Sequence, residues 1–337
     1  DHENHIYSYG TLYYGSIYRI LNNTNAYKIA GNGSYGINES GGWVTPFLLH
    51  KGDAKKMFVG YKNIWRGSNI RTNNPTWEKI SNSLAGSNSS NMRELEQSPA
   101  NYDILYAARA DRKLFRCDNV NGSNPVWTDL TQFLPDNILI NDLEAHPTDE
   151  NIVYMAMGSR AYKSSDKGKS WTDITGSLPT VSLNSLAYYK ISHEGLYAGT
   201  DLGIFYRDNF LDDWILYSDG FPFSGRVTEV EIFHDPANPE NDVIRAGTYG
   251  RGLWESDMFY DTPVADFTAD QTLIPPFCEL NFTDLSAGVP TGWNWTFEGA
   301  NPSNSNQKNP TGITYAEPGT FKVTLVVTNK AGTSEMV

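Results

Sequence analysis

The sequence predicts an all-β protein, and two observations carry that prediction. Aromatic residues make up 13% of the 337 residues, and 29 Gly and 17 Pro provide many positions for tight turns between short strands. Four tryptophans also recur at intervals of 50, 44 and 43 residues: Trp77, Trp127, Trp171 and Trp214. A period of about 40 to 50 residues is typical of a repeated unit of four antiparallel strands. We therefore expect a series of small sheets.

The unit that begins near Ile140 shows the repeat most clearly. It contains an alternating segment, an apolar strand that ends in Gly, a strand with an aromatic residue and a turn that ends in Trp. The units before and after it have the same order. The first unit contains only middle strands, and the last unit, residues 227–259, ends without the turn. We expect five whole units and one partial unit.

The turn at residues 164–171 fits the pattern Ser-x-Asp-x-Gly-x-x-Trp at every fixed position. Its predicted role is structural, because the carboxylate of Asp166 can accept hydrogen bonds from amides of its own turn. Ser164, the first fixed residue of the motif, is predicted to have a structural role as well. Gly168 can adopt a positive φ, and Trp171 can cover the turn. This motif resembles the Asp-box of BNR-type β-propellers, including the sortilin-like and xyloglucanase-like ones. Turns at the other three tryptophans are longer or lack Asp and Gly.

The resemblance implies that residues 1–260 are blades of a β-propeller. Two looser matches, at residues 41–46 and 246–257, resemble propellers in large secreted proteins of Bacteroidetes-type bacteria. A ring of six blades is just feasible. Because most propellers of this family have seven or more, we expect further blades before Asp1.

Residues 261–337 resemble a PKD domain, which is an immunoglobulin-like β-sandwich. Independently, the alternation of apolar residues over 321–327 predicts a strand with one buried face. The usual Gly-Asp-Gly of PKD domains is replaced by Glu-Gly-Ala at 298–300. The last strand is expected to be truncated after Val337.

Charge and composition exclude several partners. The net charge of −13 argues against a nucleic-acid backbone and an anionic membrane surface, which need clustered Lys and Arg. No apolar run approaches the ~20 residues of a membrane helix. We expect a glycan or protein ligand at the cell surface, and more of the same polypeptide on both sides. Cys117 and Cys278 lie in different predicted domains, so we expect both to be unpaired and buried.

Candidate ligand-binding residues are of two kinds, carboxylates that could bind Ca²⁺ and aromatic side chains that could stack on sugars. Apart from Ca²⁺, no cofactor is expected. Some PKD domains bind Ca²⁺ through converging carboxylates, for which the candidates are Asp266, Asp270 and Asp284. Exposed aromatic residues could stack on sugar rings, although alternate residues of strands also form cores. The stacking candidates are Tyr13, Tyr14, Tyr188, Tyr189 and Trp293.

Histidines and arginines are the side chains that could provide a metal site or a catalytic cluster. Four histidines, one per unit, fall in or near the same turn of successive units: His50, His146, His193 and His234. This placement separates them around a ring, so they do not suit a shared metal. Sialidases with the same boxes need three convergent arginines, a Tyr–Glu pair and an Asp. Seven arginines near strand ends leave such a cluster open: Arg19, Arg66, Arg109, Arg116, Arg160, Arg207 and Arg251. The Arg-Ile-Pro element of those enzymes is absent, and no catalytic residue is assigned.

By resemblance, the expected function is non-catalytic binding, adhesion or scaffolding outside a bacterial cell or on its outer surface, after type IX secretion. Propeller loops would recognise a glycan or protein, and the PKD domain would act as a spacer. One alternative is a glycoside hydrolase with catalytic residues upstream, favoured by a converging Asp/Glu pair or Arg triad in one cleft. Another is a sorting-receptor-like propeller that binds peptides, favoured by a wide channel lined by apolar and backbone groups.

Overall fold

The structure is a computed structural model that describes residues 1–82, 84, 90–190, 194–211, 213–221, 225–235 and 237–337. It is all-β, with antiparallel sheets and three single turns of 3₁₀-helix at Tyr13–Gly15, Thr131–Phe133 and Pro239–Asn241. None of the helices among these residues has the length and apolar character needed to cross a membrane.

Six small sheets follow one another along the chain, and within each sheet every strand pairs with the next in sequence. The first contains β1 (Tyr7–Leu12), β2 (Ser16–Leu21) and β3 (Asn25–Ala30). The second contains β4 (Phe47–Leu49), β5 (Lys56–Gly60), β6 (Ile64–Ser68) and β7 (Thr76–Lys79). The third contains β8 (Met92–Gln97), β9 (Leu105–Arg109), β10 (Lys113–Cys117) and β11 (Trp127–Asp129).

The next three sheets repeat this arrangement. The fourth contains β12 (Ile140–Ala145), β13 (Val153–Met157), β14 (Arg160–Ser164) and β15 (Thr172–Asp173). The fifth contains β16 (Leu183–Tyr189), β17 (Gly195–Thr200), β18 (Gly203–Arg207) and β19 (Ile215–Leu216). The sixth contains β20 (Val227–Phe233), β21 (Val243–Thr248) and β22 (Gly252–Asp257). Four sheets thus have four strands, one fewer than the five whole units expected, because residues 258–263 add no strand to the edge of β22.

The apolar core of the propeller blades lies between successive sheets. One cluster joins the first and second sheets, and further clusters join the second to the third, the third to the fourth and the fourth to the fifth. Representative pairs of fully or almost fully buried residues are Ile17 and Val59, Phe58 and Leu95, Leu114 and Leu143, and Tyr154 and Leu186. Because the second to fifth sheets bury both faces, their middle strands contain long apolar runs.

The recurring tryptophans join each sheet to the one before it. Three indole N–H groups donate a hydrogen bond to a carbonyl at, or next to, the end of the preceding sheet's last strand. The pairs are Trp77 with Ile29 at 2.7 Å, Trp127 with Ile80 at 2.8 Å and Trp214 with Ile174 at 2.8 Å. The Nε1 of Trp171 is buried and has no such partner among the described residues. The regular spacing in the sequence therefore reflects a contact between sheets.

The PKD segment forms three further sheets. Their strands are β23 (Phe267–Ala269), β24 (Glu279–Leu280), β25 (Phe282–Asp284), β26 (Gly292–Phe297), β27 (Ala300–Asn301), β28 (Asn304–Ser305), β29 (Ile313–Tyr315), β30 (Val323–Asn329) and β31 (Gly332–Met336). The sheet orders are β23-β25, β24-β29-β27 and β28-β26-β30-β31. Trp295, Leu325 and Val327 are fully buried in one core, which agrees with the alternation along β30.

Contacts divide the chain into two compact units. The first contains residues 1–190, 194–231 and 246–254, and the second contains residues 232–245 and 255–337. The domain boundary between residues 260 and 261 stays a prediction.

Candidate functional site

Six carboxylates recur along the first strands of three sheets. They are Glu94 and Glu96 on β8, Asp142 and Glu144 on β12, and Glu229 and Glu231 on β20. In each pair the two acidic residues flank a buried apolar residue, so both point to the opposite face of the strand. The first strands of successive sheets are neighbours, since β8 contacts β12 and β12 contacts β16. We call these six residues the carboxylate cluster.

The carboxylate cluster binds backbone amides of the next sheet. Glu96 Oε1 accepts a hydrogen bond from the N–H of Ala145 at 3.2 Å. Asp142 Oδ2 accepts from the N–H of Leu186 at 2.6 Å, and Glu144 Oε1 accepts from a neighbouring amide of β16 at 3.1 Å. These amides lie between sheets, and a buried N–H without an acceptor is costly.

In β16 a serine occupies the position of the acidic residues. Ser185 Oγ donates to Glu229 Oε1 at 2.9 Å and accepts from the N–H of Val230 at 3.1 Å. The same kind of bridge thus continues into the sixth sheet, and the cluster has a structural role.

Burial raises the pKa of Glu94, Asp142 and Glu144 well above their usual range, and repulsion between neighbouring carboxylates adds to this shift. Burial also raises the pKa of Glu229 to about 7 and that of Glu231. These side chains are not sealed from solvent, since Glu229 and Glu231 are exposed to water and the other three are half-buried. They are surrounded by protein on several sides while water still reaches them.

Lys51, which follows β4, partly compensates this charge. Its Nζ lies 3.5 Å from Glu96 Oε1, and attraction by Glu96 raises the lysine pKa. The same ammonium lowers the pKa of Glu144 and Glu231, against the larger effect of burial. Sequence reasoning missed the cluster, although the repeats Glu-Leu-Glu, Asp-Leu-Glu and Glu-Val-Glu at 94–96, 142–144 and 229–231 were a visible signal.

A second feature is an exposed group of three aromatic side chains, Tyr13, Tyr14 and Trp43, which we call the aromatic platform. The rings of Tyr13 and Trp43 are stacked with centroids 4.1 Å apart, and Tyr14 meets Trp43 edge-on at 6.0 Å. The three residues are 59%, 57% and 61% exposed. Two neighbouring apolar residues, Leu12 and Val44, are 57% and 75% exposed and extend the surface.

Backbone hydrogen bonds hold the two loops of the aromatic platform together. The N–H of Tyr14 donates to the carbonyl of Gly42 at 3.2 Å, and the N–H of Gly41 donates to the carbonyl of Tyr14 at 3.1 Å. Beneath them, Tyr61 donates its hydroxyl to the carbonyl of Gly15 at 2.7 Å. Gly15 has φ +80°, and a Cβ there would lie 2.3 Å from the Tyr61 ring, so the turn requires glycine. The platform is held in one geometry.

Of the other stacking candidates, Tyr188 and Tyr189 are corrected by the structure. They are only 8% and 1% exposed, because both faces of β16 are covered by neighbouring sheets. The Tyr188 hydroxyl also bonds His146 Nε2 at 2.9 Å and Glu194 Oε1 at 3.2 Å. Trp293 is partly buried against the PKD core.

The predicted Asp-box forms a compact turn between β14 and β15. Asp166 Oδ1 accepts hydrogen bonds from the N–H groups of Lys169 at 2.9 Å and Ser170 at 2.8 Å. Ser164 Oγ donates to the same carboxylate and accepts from the N–H of Gly168, both at 2.8 Å. Gly168 has φ +83°, and Trp171 packs against the core between the third and fourth sheets. The structural role of this motif stays a prediction that mutation can test.

Two of the three calcium candidates, Asp270 and Asp284, have separate partners. Asp270 accepts from the backbone and side-chain N–H groups of Asn281 at 3.1 and 2.8 Å, and Asp284 accepts from the N–H of Ser286 at 3.1 Å. In the part of the chain that the structure describes, no three His, Cys, Asp or Glu residues form a group able to hold a metal ion, so Asp266 is not joined to them.

The turn histidines each have local partners. His50 Nδ1 accepts from the N–H of Gly52 at 3.0 Å, and His146 Nδ1 accepts from the N–H of Asp149 at 3.0 Å. His234 Nδ1 lies 2.9 Å from Asp242 Oδ2. His193 lies outside the described residues.

The candidate arginines are spread over the six sheets, with Arg109 and Arg116 both in the third, and most of them contact carbonyl groups or local carboxylates. Three on equivalent strands reach a turn of the next sheet, namely Arg19 to Ile70, Arg66 to Val120 and Arg116 to Lys167. Arg109 and Arg160 pair with Asp111 and Asp173. The first three contacts join successive sheets and the last two stay within one sheet, so these five arginines do not converge as the triad of a sialidase would.

The architecture is therefore that of β-propeller blades followed by an immunoglobulin-like sandwich. Residues 260–337 match the PKD domain family. Among curated proteins, none is significantly similar in sequence to this chain.

Solved structures with the same kind of fold have low sequence identity. An ancestral GH74 enzyme is 17% identical with a TM-score of 0.56, over 74% of this chain and 34% of the enzyme. The extracellular domain of a putative hybrid two-component system from B. thetaiotaomicron is 12% identical with a TM-score of 0.55, over 97% of this chain and 48% of that one. A chain of the COPII outer coat vertex is 12% identical with a TM-score of 0.58, over 98% and 81%. The chain thus spans a third to a half of the first two, and these likenesses show the fold alone.

Proposed function

We propose that this chain is a non-catalytic binding module of a secreted or cell-surface protein, and that it recognises a glycan through the aromatic platform. The observation that carries the proposal is the position of Tyr13, Tyr14 and Trp43. Three aromatic side chains from two loops are more than half exposed and are held together by backbone hydrogen bonds. A contiguous group of exposed apolar side chains, unlike a single exposed residue, is typical of a binding site.

The chemistry of the platform suits a sugar ring. A pyranose has an apolar C–H face, which packs on an aromatic ring, and a rim of hydroxyl groups. Tyr13 and Trp43 cover one face of each other and are still more than half exposed, and the tyrosine hydroxyls provide polar groups. The net charge of −13 favours a neutral glycan over an anionic one.

The PKD match and the likeness to a bacterial extracellular domain support a location outside the cell or on its surface. In this proposal the propeller is of the BNR type, its turn at 164–171 is an Asp-box, and the PKD domain acts as a spacer. The same proposal includes export by type IX secretion from a Bacteroidetes-type bacterium.

Binding of the 337-residue protein to cellulose, xylan, mannan, chitin and xyloglucan tests the proposal. We expect retention on at least one polysaccharide, and a loss of about fivefold or more in affinity for Trp43→Ala, since one aromatic contact is worth about 1 kcal/mol or more. Phe210→Ala is the matched control, because Phe210 is a half-exposed aromatic residue of the fifth sheet. No retention on any polysaccharide, or equal binding by Trp43→Ala, would overturn the proposal.

The same samples separate the two alternatives. Release of reducing sugar from a retained polysaccharide would favour a hydrolase. A peptide-binding propeller was expected to have a channel lined by apolar and backbone groups, whereas the first strands here carry the carboxylate cluster.

A further inference from the structure

A cavity of about 640 Å³ lies at the other end of β4 from the aromatic platform. Its lining comes from turns of the second, third and fourth sheets and includes His50, Asp53, Asn101, Tyr102, Asp103 and Asn121. Trp43 precedes β4 and His50 directly follows it, so the two features lie at opposite ends of one strand. We call this cavity the turn groove.

Tyr102 presents a fixed aromatic ring at the turn groove. It is 44% exposed, and its ring lies against the backbone of Gly52, where a Cβ would be only 2.5 Å from Cε2 of Tyr102. The ring of His50 packs beside it with centroids 5.7 Å apart. Glycine is therefore required for this contact, and the exposed part of the tyrosine side chain lines the cavity.

A chain of hydrogen bonds fixes the polar groups behind this ring. His50 Nδ1 accepts from the N–H of Gly52, so its Nε2–H donates to Asn121 Oδ1 at 3.1 Å. Asn121 Nδ2 in turn donates to the carbonyl of Tyr102 at 3.0 Å. Burial lowers the pKa of His50, which favours the neutral ring. The hydrogen bonds from Gly52 through His50 and Asn121 to Tyr102 thus hold this part of the groove without requiring a charged histidine.

The remaining lining offers both donors and acceptors. Lys56 Nζ lies 3.1 Å from Asp53 Oδ2, Asn101 Nδ2 donates to Glu150, and the carboxylate of Asp103 is exposed. Carboxylates outnumber the ammonium group, which disfavours an anionic ligand. The described residues also hold no metal-binding group of three.

We propose that the turn groove is a second carbohydrate-binding site, which takes a short neutral oligosaccharide with one sugar ring on Tyr102. A volume of this size matches the range in which compact ligands bind. Hydroxyl groups of the sugar would pair with Asp103, Asn101 and the Asp53–Lys56 pair. This site does not depend on the aromatic platform, and if both are occupied one protein molecule joins two glycan chains.

Isothermal titration with cellohexaose, xylohexaose, mannohexaose and chitohexaose tests the proposal on the 337-residue protein. In a Trp43→Ala background, we expect saturable binding of at least one hexasaccharide to remain. Adding Tyr102→Ala should weaken that binding by about fivefold or more. Tyr102→Trp, which keeps an aromatic face, should retain it, and an unchanged melting temperature for each variant excludes a folding defect.

The outcomes distinguish the two sites. Residual binding that Tyr102→Ala leaves unchanged, or no binding of any hexasaccharide by Trp43→Ala, overturns the turn groove as a glycan site. Binding lost only with Trp43→Ala would leave the proposed function standing without the second site. Binding lost only with Tyr102→Ala would leave the second site standing without the platform.

Discussion

Asp142 Oδ2 accepts a 2.6 Å hydrogen bond from the backbone N–H of Leu186, which joins the first strands of the fourth and fifth sheets. The same carboxylate accepts from the N–H of Leu143 at 2.8 Å. Burial, followed by repulsion from Glu229, raises the pKa of Asp142 well above its usual range. The side chain is therefore useful as an acceptor and unfavourable as a charge.

This combination predicts opposite effects for two substitutions at Asp142. Asp142→Ala leaves two amides without their acceptor and should lower the free energy of unfolding by about 1 to 3 kcal/mol at pH 5. Asp142→Asn keeps an acceptor and removes the charge, so it should be as stable as the natural protein or more stable at pH 8. Urea unfolding at both pH values measures this. Equal destabilisation by both variants would contradict the role of the side chain as a neutral acceptor.

Stability should fall as pH rises from about 4.5 to 8. Glu229 has a folded pKa of about 7, raised by burial above the ordinary value of 4.5, and Glu94, Asp142 and Glu144 are raised in the same direction. Groups with a raised folded pKa stabilise the fold below the unfolded pKa, and this contribution is lost as pH rises through the folded pKa. Urea unfolding at pH 5, 6, 7 and 8 measures the slope.

A variant of Glu229 tests that slope, and Glu194 does not contribute to it. Glu229→Gln should flatten it between pH 5 and 8, whereas greater stability of the natural protein at pH 8 than at pH 5 would refute the assignment. Burial raises the pKa of Glu194, but hydrogen bonds from Tyr154 and Lys163 outweigh it and hold the pKa at about 2. That contribution is fully present throughout this pH range.

Asp166→Ala should lower the free energy of unfolding by roughly 1 to 2 kcal/mol, because the amides of Lys169 and Ser170 lose their acceptor. Glycan binding should remain. Lys169→Ala is the control in the same turn, and it should change stability by no more than about 0.5 kcal/mol. Loss of binding by Asp166→Ala at an unchanged melting temperature would show that the turn belongs to the binding site.

The two cysteines should differ in reactivity. Both are free, but Cys117 is fully buried on β10 whereas Cys278 is exposed in a turn of the PKD segment, which corrects the expectation that both are buried. Burial raises the pKa of the Cys117 thiol, which further slows its reaction. Titration with a thiol reagent, without reductant, should modify one thiol in the native protein and two in urea. Two fast thiols in the native state would mean that β10 opens readily.

The sequence alone was sufficient for the all-β class, the repeat and the PKD segment. Those features depend on local patterns: alternation along β30, turn residues such as Gly168, and the interval between tryptophans. The spacing of the tryptophans could be read from the sequence, but its physical reason could not. That reason is the hydrogen bond from an indole N–H, such as that of Trp77, to a carbonyl of the preceding sheet. The number of whole sheets was overestimated because pairing at the edge of β22 is not a local property.

Only the tertiary structure decided which residues form the candidate sites. Tyr13 and Tyr188 each begin a Tyr-Tyr pair in the sequence, yet one is 59% exposed and the other 8%, because neighbouring sheets cover β16 and leave the loop after β1 free. Trp43 joins Tyr13 from another loop, and Glu229 raises the pKa of Asp142 by charge repulsion from another sheet. Such contacts depend on how strands far apart in sequence pack, and period-2 alternation specifies the face of a strand without specifying what covers it.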